Sequence, residues 1–240
     1  MSVKKKVLPD FNFTEGEVLL INKPSTWTSF DVVGKLRNSL KPLKLKVGHS
    51  GTLDPLASGL LIICTGKLTK QIDNYQAEEK EYTGTFTLGA TTPSYDMETE
   101  PDEIFSLSGL NEEQITQSAL HFIGEIDQYP PIYSALKIDG ERLYEKARRG
   151  ETIDIPTRKV TITEFEITHI ALPYVHFRVV CSKGTYIRSL AYDFGKMLNN
   201  GAYLSALCRT RSGSFKLENA FEVLELVNHI KELKQKPDFR

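Results

Sequence analysis

The stretch "KEYTGTFTLG" (residues 80–89) alternates strictly, with Tyr82, Gly84, Phe86 and Leu88 on one side and Thr83, Thr85 and Thr87 on the other. Successive side chains of an extended chain point to opposite faces, so a period of two excludes a helix here and predicts a strand with one apolar face. "YVHFRVVCS" (174–182) repeats the pattern, with Val175, Phe177, Val179 and Cys181 sharing a face. "KVTITEFEITHI" (159–170) almost does, but its alternation slips between Ile162 and Phe165, which predicts a β-bulge. "EVLLIN" (17–22) and "LLIIC" (60–64) read as short apolar strands, the second of them buried.

Helical periodicity falls between these strands without a regular βαβ rhythm. "TSFDVVGKLRNSL" (28–40) opens on cap-type residues, sets Phe30, Val33, Leu36 and Leu40 roughly on one face and stops at Pro42. "NEEQITQSALHF" is a capped helix, and "TYIRSLAYDFGKMLNN" turns Ile187, Leu190, Ala191, Phe194 and Leu198 inward. "FEVLELVNHIKELK" is a C-terminal helix. Residues 43–59 read as a loop, 91–110 as a polar, acidic loop, and 129–150 as a Pro-Pro turn, a basic loop and a short helix ending at Gly150. The mixture predicts an α+β fold with a mainly antiparallel sheet flanked by helices and loops. The 240 residues, 40% of them hydrophobic, are enough for a real core.

Charge is distributed unevenly although the net charge is only −1. Between Val32 and Ile72 lie seven cations, Lys35, Arg37, Lys41, Lys44, Lys46, Lys67 and Lys70, and a single acid, Asp54. Residues 73–103 reverse the sign, with nine acids against Lys80. Two solvated faces of opposite sign would give the same pattern. The three cysteines, Cys64, Cys181 and Cys208, are far apart and odd in number, which predicts free thiols and a reducing compartment. No apolar run reaches 18 residues, and "MSVKKKVLPDFNF" lacks the apolar core of a signal peptide, so a cytoplasmic protein without a membrane span is expected.

Several motifs fail. "TGKLTK" has the wrong spacing for a phosphate loop and carries Leu68 where Ser or Thr would reach Mg²⁺. No GxGxxG follows a strand, and the five histidines have no metal-ligand spacing, so neither a cofactor nor a metal is expected. What survives centres on Asp54. Gly48, Gly51 and Gly59 let backbone approach a ligand closely, and the surrounding cations favour an ionised carboxylate. In "CSKGTYIRSL" a strand ends in a Lys-Gly-Thr turn and Arg188 enters the next helix, where it can pair with a carboxylate. From the residues alone, Asp54 as a turn-capping residue before Pro55 and Arg188 as a surface residue remain open.

"GHSGTLDPLASGLLIICTGKLTK" resembles the catalytic signature of the bacterial tRNA pseudouridine-55 synthase family. "LLINKPSTWTSFDVV", "KEYTGTFTLGATTPSYDMET", "YPPIYSALKIDGERLYEKARRGETI", "CSKGTYIRSLAYDFG" and "GAYLSALCRTRSGSF" are similar to its other motifs, in order, from about Val18 to Phe215. The resemblance implies the pseudouridine synthase fold as one catalytic domain over 1–240, with a thumb-like RNA-binding insertion at about 129–152. In one respect the sequence departs from the family: many members carry a C-terminal PUA domain, but only 25 residues follow Phe215, so none is expected here. The resemblance also implies isomerisation of uridine 55 in the T-arm stem-loop of tRNA by base flipping, without metal or cofactor. A monomer is expected because no segment of the sequence reads as an interface. Asp54 is implied as the catalytic carboxylate, Tyr82 as the ring on the flipped base and Arg188 as the partner of the catalytic carboxylate. Tyr186 and Leu207 are implied as pocket walls, His49 as a contact to the T-loop bases and Asp96 as a residue holding that loop. Lys23 and Lys70 are implied near the Tyr and Asp loops, and Lys137, Arg142, Lys146, Arg148 and Arg149 at phosphates. Two other readings stay open: a glycosidase, which would need a second carboxylate absent near Asp54, and a non-catalytic tRNA-binding or RNA-chaperone module.

Overall fold

The computed structural model describes residues 9–134, 136–138, 140–143, 145, 149, 155–236 and 239. In chain order these form β1 (Val18–Lys23), α1 (Ser29–Ser39), β2 (Val47–Ser50), β3 (Ser58–Thr65), α2 (Ile72–Ala77), β4 (Lys80–Leu88), β5 (Ala90–Thr91) and β6 (Glu103–Ile104). There follow α3 (Glu112–Leu120), β7 (Gly124–Gln128), β8 (Lys137–Ile138), β9 (Glu141–Arg142), β10 (Arg158–Ala171) and β11 (Tyr174–Cys181). The last elements are α4 (Ile187–Met197), β12 (Ala202–Ser212), β13 (Phe215–Lys216), β14 (Phe221–Glu222) and α5 (Val223–Leu233). The chain divides into two compact units, residues 1–78 with 209–240 and residues 79–208.

In the first unit β1 runs antiparallel to β3, from Val18↔Cys64 to Lys23↔Gly59, and parallel to β14 through Ile21↔Phe221. Seven of the eight residues of β3 are buried, as the apolar run "LLIIC" predicts. Helix α1 begins with a capping box: Thr28 accepts from Asp31 N, and the Asp31 carboxylate accepts from Thr28 N. Such a cap contributes roughly 1 kcal/mol. Two expectations are corrected here. Phe30 is not inward but 69% exposed, because Ser29, Val33, Leu36 and Leu40 already define the buried stripe and Phe30 lies roughly 100° round the helix from Ser29. The expected loop 43–59 contains β2, which pairs with β3 through Val47↔Thr65 and Ser50↔Ile62; four residues of mixed polarity are too short a run to show a period.

In the second unit β4, β11, β10 and β7 form an antiparallel order. Tyr82 pairs with Val179, and β10 shifts register between Ile162 and Glu164, where the alternation slips, and again between Ile167 and His169. Phe86 stacks on Phe177 at 4.2 Å, and Phe122, Phe165 and Phe194 complete an aromatic core. Gly84 is required by close approach: a Cβ there would lie 2.4 Å from the Ala206 carbonyl and 2.7 Å from the Phe177 ring. The Thr face of β4 is less solvated than its alternation suggests, since Thr85 and Thr87 are buried against His176 and Ser205. The acidic stretch 91–110 likewise folds inward in part, with Thr92, Ser94 and Asp96 buried. Pairing of β8 with β9 makes a small hairpin around Gly140. The short helix expected up to Gly150 lies largely outside the described residues.

Candidate active site

Asp54 sits half-buried in the turn between β2 and β3, where its carbonyl accepts from Ala57 N at 3.1 Å. Elements distant in sequence hold this turn. Ser29, at the start of α1, exchanges two hydrogen bonds with Leu53, donating to its carbonyl and accepting from its N–H. Thr26 N donates to the Pro55 carbonyl at 2.7 Å and Ser25 Oγ to the Leu56 carbonyl. Gly51 precedes Asp54 at φ 75°, a backbone conformation that side chains resist.

Two buried cations stand behind the turn. Lys23 is 0% exposed and donates to the carbonyls of Trp27 at 2.6 Å, Pro24 at 3.1 Å and Pro55 at 3.4 Å. Burial, and to a lesser degree Arg209, pushes its pKa down to about 8, against the charges of Asp54 and Asp31, which favour the ammonium. Lys23 therefore acts on the loop rather than on a ligand in solvent. Arg209, 2% exposed, donates Nε to the Leu60 carbonyl at 2.7 Å and Nη2 to the Gly51 carbonyl at 3.2 Å. In the sequence, the only sign of Arg209 is a charged residue inside the strand-like "LCRTRS".

His49, on β2, meets the Phe30 ring edge-on at 5.5 Å, and its Nδ1 is buried without a hydrogen-bond partner. Burial and then Arg209 lower its pKa, so the neutral ring is favoured. Phe30 also lines a groove of about 560 Å³ with Thr26, Trp27, Asp31, Gly34 and Lys35. All seven cations of the 32–72 window, Lys70 included, are exposed. Lys67 among them pairs with Glu15 at 2.7 Å.

The second unit carries the other expected residues. Tyr82 is buried on β4. Arg188, 4% exposed, is not a surface residue: it donates to the carbonyls of Tyr133 at 3.0 Å and Ser94 at 3.3 Å, and lies 3.5 Å from the Asp96 carboxylate. Asp96 is fixed in turn by a bond from Glu98 N and by a parallel bridge to Leu204. Its neighbour Tyr95 takes φ 61° and stacks on Tyr192 at 4.3 Å. So Asp96, expected at the T-loop, is turned inward to Arg188. Tyr186 caps α4 half-buried, gripped on both sides of its backbone by Gln128, which accepts from Tyr186 N at 2.8 Å and donates to its carbonyl at 3.0 Å. Leu207 is half-buried on β12. Lys137 and Arg142 are backbone partners in the β8–β9 register, Arg149 pairs with Glu141 at 2.5 Å, and Lys146 and Arg148 lie outside the described residues. Among the described residues no cluster of His, Cys, Asp and Glu could hold a metal ion, no helix is long and apolar enough to cross a membrane, and the three cysteines are free.

Residues 37–187 match the TruB family pseudouridylate synthase N-terminal domain. The class of protein is thus a pseudouridylate synthase, an isomerase, and the fold is the pseudouridine synthase fold. The chain is 59% identical over 216 residues to tRNA pseudouridine synthase B of Flavobacterium johnsoniae, covering 88% of this chain and 94% of that relative. It is 50% identical over 215 residues to tRNA pseudouridine synthase B of Bacteroides fragilis strain ATCC 25285, covering 88% and 92%. The chain belongs to the TruB family. Among solved structures it is similar to a chain of a Cbf5-Nop10-Gar1 complex, with TM-score 0.72 and 32% identity over 93% of this chain and 56% of that one. A chain of an H/ACA RNP bound to a substrate RNA containing 2'-deoxyuridine gives TM-score 0.69 and 29% identity, with the same coverage.

Proposed function

We propose that this chain isomerises uridine 55 in the T-arm of tRNA to pseudouridine, with Asp54 as the reacting carboxylate. The observation that carries the assignment to Asp54 is its turn: a lone acid in a basic window, on backbone pinned by buried Lys23, buried Arg209 and Ser29. The target uridine is stacked in the RNA and has to be flipped out, at a cost of about a few kcal/mol. Its N1–C1′ bond breaks, the uracil turns, and C5 bonds to C1′. The C5 hydrogen leaves as a proton and N1 gains one, so atoms and electrons balance with no external reagent. Asp54 serves either as nucleophile at C1′ or as base at C2′; both routes use the same ionised carboxylate.

Tyr82 stacks on the flipped base, Tyr186 and Leu207 wall the pocket, and Arg188, held by Asp96, orders the charged groups around the reaction. His49 meets the unstacked bases of the T-loop. The exposed cations of the 32–72 window take up phosphate charge, and no second carboxylate there repels the polyanion. Lys137, Arg142, Lys146, Arg148 and Arg149 add to this from the thumb, and the working unit is a monomer in the cytoplasm. Carbodiimide treatment of unmodified tRNA after incubation, followed by reverse transcription, tests the assignment. A stop marking pseudouridine at position 55 is expected; stops elsewhere, or none, would contradict it.

A further inference from the structure

Two guanidinium nitrogens of Arg158, Nε and Nη2, are buried without a hydrogen-bond partner. Leaving charged donors unpaired is costly, and a side chain of similar length without charge would fill the space at no such cost. Stability alone does not account for an arginine at this position. Geometry does. The Arg158 guanidinium lies over the Tyr186 ring, 4.0 Å from its centroid. Arg158 opens β10 directly across the ladder from Gln128, the last residue of β7. Gln128 is fully buried and clamps the Tyr186 backbone from both sides. That clamp leaves the two side-chain torsions of Tyr186 free. The planar guanidinium on the ring face removes that freedom. Gly184, two residues before Tyr186 at φ 83°, passes over the same guanidinium, with an ideal Cβ 3.4 Å from Nη1.

We infer that Arg158 is a positioning residue which, with its cross-strand partner Gln128, locks the Tyr186 ring as a fixed wall of the uridine pocket. This rests on the reading of Tyr186 as a pocket wall. A uracil that detaches and turns before rejoining needs a wall that does not turn with it, since a small misplacement of a reacting group is costly in rate. Arg158 acts through the ring and does not touch the substrate.

The test uses the full chain with Arg158→Met and Arg158→Lys, measuring thermal midpoint, KM for tRNA and the single-turnover rate of pseudouridine formation. Arg158→Met is expected to keep or raise the thermal midpoint, leave KM within about twofold, and slow the chemical step roughly tenfold. Arg158→Lys, which keeps a cation over the ring, recovers part of that loss. In a Tyr186→Leu background, Arg158→Met has no further effect on rate. A wild-type rate for Arg158→Met overturns the inference, and so does a rate loss that only follows a fall in thermal midpoint. Wild-type enzyme that makes no pseudouridine at all defeats the catalytic reading instead, a failure distinguishable from that of the inference.

Discussion

Lys23 is charged, fully buried and bonded to three carbonyls, and replacing it by Met separates two opposing contributions. The variant loses two good charge-assisted bonds, to Trp27 and Pro24, each worth roughly 1.5–3 kcal/mol. It also relieves the burial of an ammonium. A pKa lowered from 10.5 to about 8 corresponds to about 3 kcal/mol at roughly 1.4 kcal/mol per unit. The difference leaves Lys23→Met destabilised at pH 7 by about 0–3 kcal/mol. The pH dependence is sharper. Between pH 8 and 10.5 the unfolded chain holds the Lys23 proton and the folded chain does not, so wild-type stability rises with pH there. This contribution is complete above the unfolded value of 10.5 and is lost as pH falls through about 8. Urea unfolding at pH 7 and pH 9.5 reads it: the gap between wild type and Lys23→Met should widen by about 2 kcal/mol at the higher pH. A gap that stays constant would mean that Lys23 is not desolvated. A constant gap is also the result if Asp54 and Asp31 outweigh burial, because a folded pKa at or above 10.5 leaves both states protonated over this range.

Asp96→Asn leaves buried Arg188 without the carboxylate 3.5 Å away; a loss of up to about 3 kcal/mol in urea unfolding and a fall in turnover are expected, and wild-type values for both would remove Asp96 from the site. Phe30→Ala should leave stability within about 0.5 kcal/mol, because the ring is exposed. The same change should raise KM for tRNA severalfold if the Phe30–His49 pair meets unstacked bases, so an unchanged KM would exclude that contact.

The strands were legible where a period could establish itself. β4 and β11 alternate over eight or more residues, and even the break in β10 near Ile162 appears in the sequence as a slip of phase. β2 was not legible because four residues carry no period, and its pairing with β3 crosses the Asp54 turn. Phe30 was misplaced for a related reason: one apolar residue beside a stripe is read into it until the neighbouring helix face is known to be filled by Val32, Val33 and Leu36. At the site, Asp54 stood out because its charge contrasts with its surroundings. The work of Lys23 did not, since it depends on carbonyls of Trp27 and Pro55 that only the fold brings together. Arg209 and Arg158 were silent for the same reason, their partners lying 149 residues away at Leu60 and at the Tyr186 ring on the following helix cap. Composition shows how many cations a chain has, but which of them are buried is settled by backbone groups remote in sequence.

The central claim is that Asp54 performs chemistry at the target uridine. Tritium release from tRNA labelled at C5 of uridine, with wild type and Asp54→Ala side by side, tests it most directly, because C5 loses its hydrogen when it becomes the glycosidic carbon. Release by wild type and none by Asp54→Ala, with tRNA binding retained by both, is the predicted result. Release by Asp54→Ala at the wild-type rate, or binding without release by either protein, would contradict it.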